Sequence, residues 1–91
     1  MGKYSLELST RARNELLLHY KSGNKITIRR IEKILEELPE HPFTGLGNPE
    51  PLKYQLTGTW SRRLNKKDRI VYAVLEQSAT IIIISAKGHY L

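Results

Sequence analysis

Hydrophobic and polar positions change period twice along the chain. Lys3-Tyr4-Ser5-Leu6-Glu7-Leu8 alternates with a period of two and predicts a strand. Ser9 or Thr10 then offers an N-cap for a helix running to about Lys21. Its apolar stripe is Ala12, Leu16 and Tyr20, spaced i, i+4, i+8 and widened by Leu17. Ser22-Gly23-Asn24 stops this helix, and Asn24 caps a second one reaching about Leu38. Ile28, Ile31, Ile34, Leu35 and Leu38 share one face of it, and Pro39 ends it. So short a turn between two helices predicts an antiparallel helical hairpin.

Pro39 to Pro51 carries four prolines together with Gly45 and Gly47, and reads as a loop. It is long for a small domain, and such loops are often functional. The period of two then returns. Leu52, Tyr54 and Leu56 alternate with polar residues, and Gly58-Thr59 turns the chain into a strand from Trp60 to Leu64. Asn65 to Asp68 is a turn, followed by a strand from Arg69 to Glu76 with Ile70, Tyr72 and Val74 on one face. After Gln77-Ser78 comes an isoleucine-rich run, Thr80 to Lys87, which reads as a buried strand. The order is β-α-α-β-β-β-β, an α+β fold in which an antiparallel sheet packs against the α-helical hairpin. With 91 residues and 40% hydrophobic positions, the chain is expected to form a single domain, 1–91.

Charge adds a partner class to this outline. The formal net charge is +6, which favours phosphate-bearing or acidic partners. Between Lys53 and Arg69 the excess is concentrated: Lys53, Arg62, Arg63, Lys66, Lys67 and Arg69 stand against Asp68 alone. There is no cysteine, so neither disulfides nor zinc thiolates are available, which fits a reducing cytoplasm. No run approaches the ~20 apolar residues of a membrane span. The polar, alternating N-terminal segment predicts no signal peptide.

These residues contain the parts for cutting RNA without a metal. RNA brings its own nucleophile, the 2′-OH. Cleavage needs a base for that proton, an acid for the leaving 5′-oxygen, and cations for the charge on the phosphorane. Glu50, stiffened between Pro49 and Pro51, is the candidate base. His89, just after the last strand, is the candidate acid. Arg63 and Arg69 are candidate phosphate clamps, Lys53 adds to their field, and Arg62 and Tyr90 are further candidate RNA contacts. Each has an ordinary reading as well. A loop glutamate is usually only solvated, a histidine near a terminus is more often idle, and paired arginines are usually a solvated strand face. Trp60 suits packing better than base stacking, while Tyr90 suits either stacking on a base or capping the sheet. His19 and His41 lack companions at metal spacing, so no metal or cofactor is expected. Gly45-Leu46-Gly47 lacks the strand-then-helix context of a phosphate loop.

Taken together, the blocks are more specific than any one of them. Pro42-Phe43-Thr44-Gly45-Leu46-Gly47-Asn48-Pro49-Glu50-Pro51-Leu52-Lys53 is followed by Leu56-Thr57-Gly58-Thr59-Trp60-Ser61-Arg62-Arg63, then Asp68-Arg69-Ile70-Val71-Tyr72, then Gly88-His89-Tyr90. In order and spacing this closely resembles the Txe/YoeB family, toxins of bacterial type II toxin–antitoxin systems in the RelE/ParE superfamily. The resemblance implies a RelE/ParE-like, microbial-ribonuclease-like fold. It also implies a metal-independent endoribonuclease that enters the ribosomal A site and cuts mRNA there, halting translation. The products would be a 2′,3′-cyclic phosphate and a 5′-hydroxyl. By position, Glu50 matches the family's base, His89 its acid and Arg69 its transition-state arginine. Arg63 and Lys53 match its phosphate contacts, and Tyr90 its terminal aromatic. Leu91, after the His-Tyr pair, departs from the pattern. The implied partners are a cognate acidic antitoxin, the ribosome and mRNA, and a second copy in a homodimer formed through the helical hairpin or the loop side. The implied setting is the bacterial cytoplasm. The rival from another class is a ParE-like toxin that inhibits a protein target without catalysis, and a third reading is an RNA-binding module that does not cut.

Overall fold

The computed structural model describes residues 3–52 and 58–88. Its elements are β1 (Ser5–Leu8), α1 (Thr10–Ser22), α2 (Lys25–Glu37), β2 (Glu50–Pro51), β3 (Thr59–Arg63), β4 (Arg69–Leu75) and β5 (Thr80–Ser85). Both predicted caps are in place. Ser9 Oγ accepts from the Ala12 N–H at 3.0 Å and Asn24 Oδ1 from the Thr27 N–H at 3.1 Å, so each helix start has one of its free donors satisfied.

The buried stripe of α1 differs from the predicted one. It runs Ala12, Leu16, His19, while Tyr20 and Leu17 are exposed. The spacing i, i+4, i+7 stays on one helical face better than i+8 does. A histidine takes the last position because its ring finds a buried hydrogen-bond partner. In α2 the buried residues are Thr27, Ile31 and Ile34, continued by Leu38, with Ile28 and Leu35 half-buried beside them.

The strands form a mixed five-stranded sheet in the order β1-β5-β4-β3-β2. The expectation of a wholly antiparallel sheet is corrected at one edge: β1 runs parallel to β5, with Ser5 opposite Thr80 and Leu8 opposite Ile83. Alternation reports which face a side chain takes but not the direction of the neighbouring strand. The arrangement continues into the helix, because the Ser9 N–H also donates to the Ile83 carbonyl at 3.0 Å. The predicted strand through Tyr54 and Leu56 falls on 53–57, outside the described residues.

One face of the sheet makes the core. Ile70, Tyr72 and Val74 from β4 and Ile81 and Ile83 from β5 meet Ala12, Leu16, Ile31, Ile34 and Leu38 from the helices. Ile31, Ile34, Ile70, Ile81 and Ile83 are fully buried, and each such side chain contributes roughly 1.5–3 kcal/mol of burial free energy. The other face, with Val71, Ala73, Ile82 and Ile84 half-buried, carries no helix among the described residues. Near its end β5 gains a residue: Tyr72 lies opposite Ile83 but Val71 opposite Ser85, which leaves Ile84 as a bulge. Among the described residues no helix is long and apolar enough to cross a membrane.

Candidate active site

On the helix-free face three strands bring distant residues together. Glu50 on β2 lies opposite Ser61 on β3, Ser61 lies opposite Val71 on β4, and Arg63 lies opposite Arg69. Side chains of cross-strand partners, and of positions i and i+2, share a face. Glu50, Ser61, Arg63 and Arg69 are therefore neighbours. Arg69 Nη1 donates to Glu50 Oε1 at 3.0 Å, and Ser61 Oγ lies 3.5 Å from the same nitrogen. The Arg69 side chain is 17% exposed and that of Glu50 43%, so the pair is open on the Glu50 side. Arg63 is exposed. Two arginines directly opposite each other repel. The carboxylate of Glu50 offsets part of that charge, and an incoming phosphate would offset more.

The loop that delivers Glu50 is organised from the opposite face. Arg62 was expected on the phosphate side, but it is fully buried among the core residues. Its guanidinium donates from Nη1 to Glu37 Oε1 at 2.9 Å and to the Leu46 carbonyl at 3.3 Å. Nη2 donates to the carbonyls of His41 and, at 2.9 Å, Thr44, and Nε donates to Tyr72 Oη at 3.3 Å. The Tyr72 hydroxyl in turn donates to the Pro42 carbonyl at 2.7 Å, and the Leu46 N–H donates to Glu37 Oε1 at 3.0 Å. With its donors committed to the loop, to Glu37 and to Tyr72, Arg62 has none for RNA. Alternation along β3 puts it on the core side and Arg63 on the open side.

Burial pushes the Glu37 carboxyl up, but the Leu46 N–H and the hydrogen bond and charge of Arg62 outweigh it and hold that carboxyl below its usual value. Burial pushes the Tyr72 hydroxyl up, with Arg62 only partly opposing it. The two loop glycines now have a structural reason. A Cβ on Gly45 would collide with Glu37 Oε1, and one on Gly47 would sit 2.8 Å from the Arg63 carbonyl; both have positive φ, +126° and +89°. Phe43 stacks at a tilt on Trp60, with centroids 5.0 Å apart, so Trp60 holds the loop as a packing residue.

The other arm of the site is the segment after β5. The Gly88 N–H donates to Asp68 Oδ1 at 2.8 Å, and the Arg69 N–H donates to the Gly88 carbonyl at 3.2 Å. Burial raises the Asp68 carboxyl, but the Gly88 and Asn65 hydrogen bonds and the neighbouring His19 and Lys87 outweigh it and hold the group below its ordinary value. Gly88 thus lies directly against the backbone of Arg69. The expected site residues Lys53, His89 and Tyr90, like Leu91, lie outside the described residues.

Of the remaining predicted residues, the fold brings Glu50, Arg63 and Arg69 together and removes Arg62. It adds Ser61 and Asp68, which sequence reasoning missed. Ser61 was detectable in principle, because alternation along Trp60-Ser61-Arg62-Arg63 puts it on the face of Arg63. Nothing local marks Asp68 as the anchor of a residue twenty positions away.

Comparison with known proteins gives a consistent result. The family model described as a YoeB-like toxin of bacterial type II toxin-antitoxin system matches residues 10–90. A Synechocystis protein named Toxin YoeB is 38% identical over 73 residues, covering 80% of this chain and 83% of that one. A YoeB/ParE toxin from Agrobacterium tumefaciens superposes with a TM-score of 0.83 at 28% identity, over 94% of this chain and 99% of that one. YoeB from Staphylococcus aureus superposes as a dimer with a TM-score of 0.78 at 31% identity (97% and 99% covered). In its complex with YefM the TM-score is 0.75 at 33% identity (96% and 98% covered).

Proposed function

The chain belongs to the YoeB-like toxins of bacterial type II toxin–antitoxin systems, and we propose that it is a metal-independent endoribonuclease that cuts mRNA in the ribosomal A site. The observation that carries this reading is the Glu50–Arg69 pair, 3.0 Å apart on the helix-free face beside Arg63. A carboxylate for the 2′-OH proton, one guanidinium for the phosphorane and a second for a neighbouring phosphate thus occupy one patch.

In the reaction Glu50 takes the 2′-OH proton. O2′ forms a bond to phosphorus, and the P–O5′ bond breaks. O5′ takes a proton from His89. The products are a 2′,3′-cyclic phosphate and a free 5′-hydroxyl. Arg69 holds Glu50 before substrate arrives and turns part of its donor fork to the phosphorane oxygens as charge builds there. Arg63 and Lys53 hold the flanking phosphates, and Tyr90 takes the role of the family's terminal aromatic, which shapes the site. The connection Gly88–Arg69 supports His89 as the acid, because the residue preceding it is bonded to the backbone of the transition-state arginine.

A net charge of +6 suits an acidic inhibitory partner. With the S. aureus YoeB–YefM complex as a relative, this supports a cognate antitoxin that covers the site. The S. aureus dimer supports self-association, and the exposed Leu17, Leu18 and Ile26 on the helical hairpin offer apolar area for it. The site of action is the bacterial cytoplasm, where ribosomes and mRNA are.

Primer extension on an mRNA in a purified translation system, with end-group analysis of the fragments, tests the reading. A discrete cut within the A-site codon leaving a cyclic phosphate is expected. Intact mRNA under growth arrest would replace the nuclease with a toxin that blocks a protein target.

A further inference from the structure

β5 leaves its ladder at Ser85, and chain beyond a strand end ordinarily frays. Here backbone groups of Ala86 and Gly88, past that point, are held by side chains from elsewhere. The Ala86 N–H donates to Glu15 Oε1 at 2.7 Å, and His19 Nε2 bonds the Ala86 carbonyl at 2.7 Å. Because a carbonyl only accepts, Nε2 of His19 carries the proton. Glu15 and His19 lie at i and i+4 on α1, so one face of one helix grips both polar groups of one residue. Ala86 is fully buried and His19 95% so. Two residues further, Asp68 accepts from Gly88, and Arg69 donates back to Gly88. Upstream, Ser9 Oγ donates to the bulged Ile84 carbonyl at 2.9 Å.

Glu15 is itself braced, by Arg11 Nε at 3.0 Å from its other oxygen. Asp68 is braced by Asn65 Nδ2 at 3.1 Å. The anchors come from two elements remote in sequence and hold the two ends of the segment 86–88. Immediately after that segment comes His89.

We propose that Glu15, His19 and Asp68 are positioning residues for leaving-group protonation: they fix residues 86–88, and the proton transfer from His89 depends on that fixation. This rests on the nuclease reading above. A general acid acts only within hydrogen-bond reach of the atom it protonates. The three residues touch neither substrate nor the reacting atoms in this scheme and act through the chain that leads to His89.

The test is single-turnover cleavage of two messages on programmed ribosomes. One has the natural scissile linkage; the other carries sulfur in place of the leaving 5′-oxygen, a leaving group that needs no acid. Glu15→Ala, His19→Ala and Asp68→Ala should each slow cleavage of the natural message by about 10²-fold, with His89→Ala slower still. Glu15→Gln and Asp68→Asn, which keep an acceptor oxygen, should stay within about threefold of the parent, well inside the range of a lost acid. On the sulfur message the three alanine variants and His89→Ala should all cleave at near the parent rate. If Glu15→Ala or His19→Ala does not fold, Asp68→Ala, on the half-buried β3–β4 turn, carries the same comparison.

The proposal is overturned if the alanine variants cut the natural message at the parent rate. It is also overturned if they lose equally on both messages, which would make the anchors merely structural. The nuclease reading fails separately, and takes the proposal with it, if the parent protein cuts neither message or if His89→Ala is not restored by sulfur.

Discussion

Arg62 and Arg63 are adjacent in sequence and identical in chemistry, yet they belong to opposite faces of the sheet. Arg62 has no exposure and spends its donors on Glu37, on Tyr72 and on three loop carbonyls. Arg63 is exposed opposite Arg69. The period of two in a strand decides between them. One arginine builds the loop that presents Glu50, and its neighbour faces whatever Glu50 faces. A basic dipeptide in a strand is thus two different residues, and counting both as polyanion contacts overstates the charge on offer.

The largest effect that would sharpen this contrast is on the open face. Glu50→Ala and Arg69→Ala should each lower ribosome-dependent cleavage by about 10²- to 10⁴-fold. Their folding stability should change by no more than about 1 kcal/mol, because the pair they break is partly exposed. Rate measurements alongside urea unfolding check both halves, and a stability loss matching the rate loss would break the contrast.

Arg62→Ala should do the reverse. Removing it strands the Glu37 carboxylate and the loop carbonyls, at a cost of about 3–5 kcal/mol in unfolding free energy. That is a large share of the ~5–15 kcal/mol expected of a small domain. Arg62→Lys should recover little, since one ammonium cannot replace a planar five-donor fork. An Arg62→Ala protein with the parent urea midpoint would show that the buried network is not what holds the loop.

Acid should loosen both arms of the site. Folded Glu37 and Asp68 have carboxyls below their ordinary values, so the unfolded chain binds more protons as pH falls. Their stabilisation is complete above the unfolded carboxyl values, near pH ~4, and is lost as pH drops through the lower folded ones. The urea midpoint should therefore hold between about pH 7 and 5 and fall below about pH 4. Glu37→Gln and Asp68→Asn should each flatten that fall.

The smallest effect belongs to Arg63→Ala. Stability should shift by less than about 0.5 kcal/mol, with a slight gain if relief of the Arg63–Arg69 repulsion dominates. Affinity for the message should weaken, and the slope of log K against log salt should shrink by about 0.7–0.9, the share of one phosphate contact.

Much of the fold was legible because it is written locally. Ser9 and Asn24 announce the helix starts through their own side chains, and Ile70, Tyr72 and Val74 announce a buried strand face through alternation. The parallel pairing of β1 with β5 was not legible, because it joins residues such as Leu6 and Ile81 that share no local signal. His19 was passed over in favour of Tyr20, since its burial depends on a carbonyl far along the chain. At the site, Glu50, Arg63 and Arg69 were proposed from residue type and family resemblance, and the strand register brings them together. Arg62 was misplaced because a charged residue at a core position looks like a surface residue until its partners are known.

The position of β5 also governs when the molecule can form at all. β5, the last strand among the described residues, is an interior strand of the sheet, lying between β1 and β4, and α1 packs across it. A chain made from its N-terminus can cap its helices early, but β1 has no neighbour until residues 80–85 emerge. High sequence separation of this kind slows folding. Closure of the sheet therefore waits for β5: a nascent or prematurely stopped chain lacking it has neither the strand that joins β1 to β4 nor the anchored segment 86–88. An antitoxin that recognises the folded surface meets its target only after that last strand has closed.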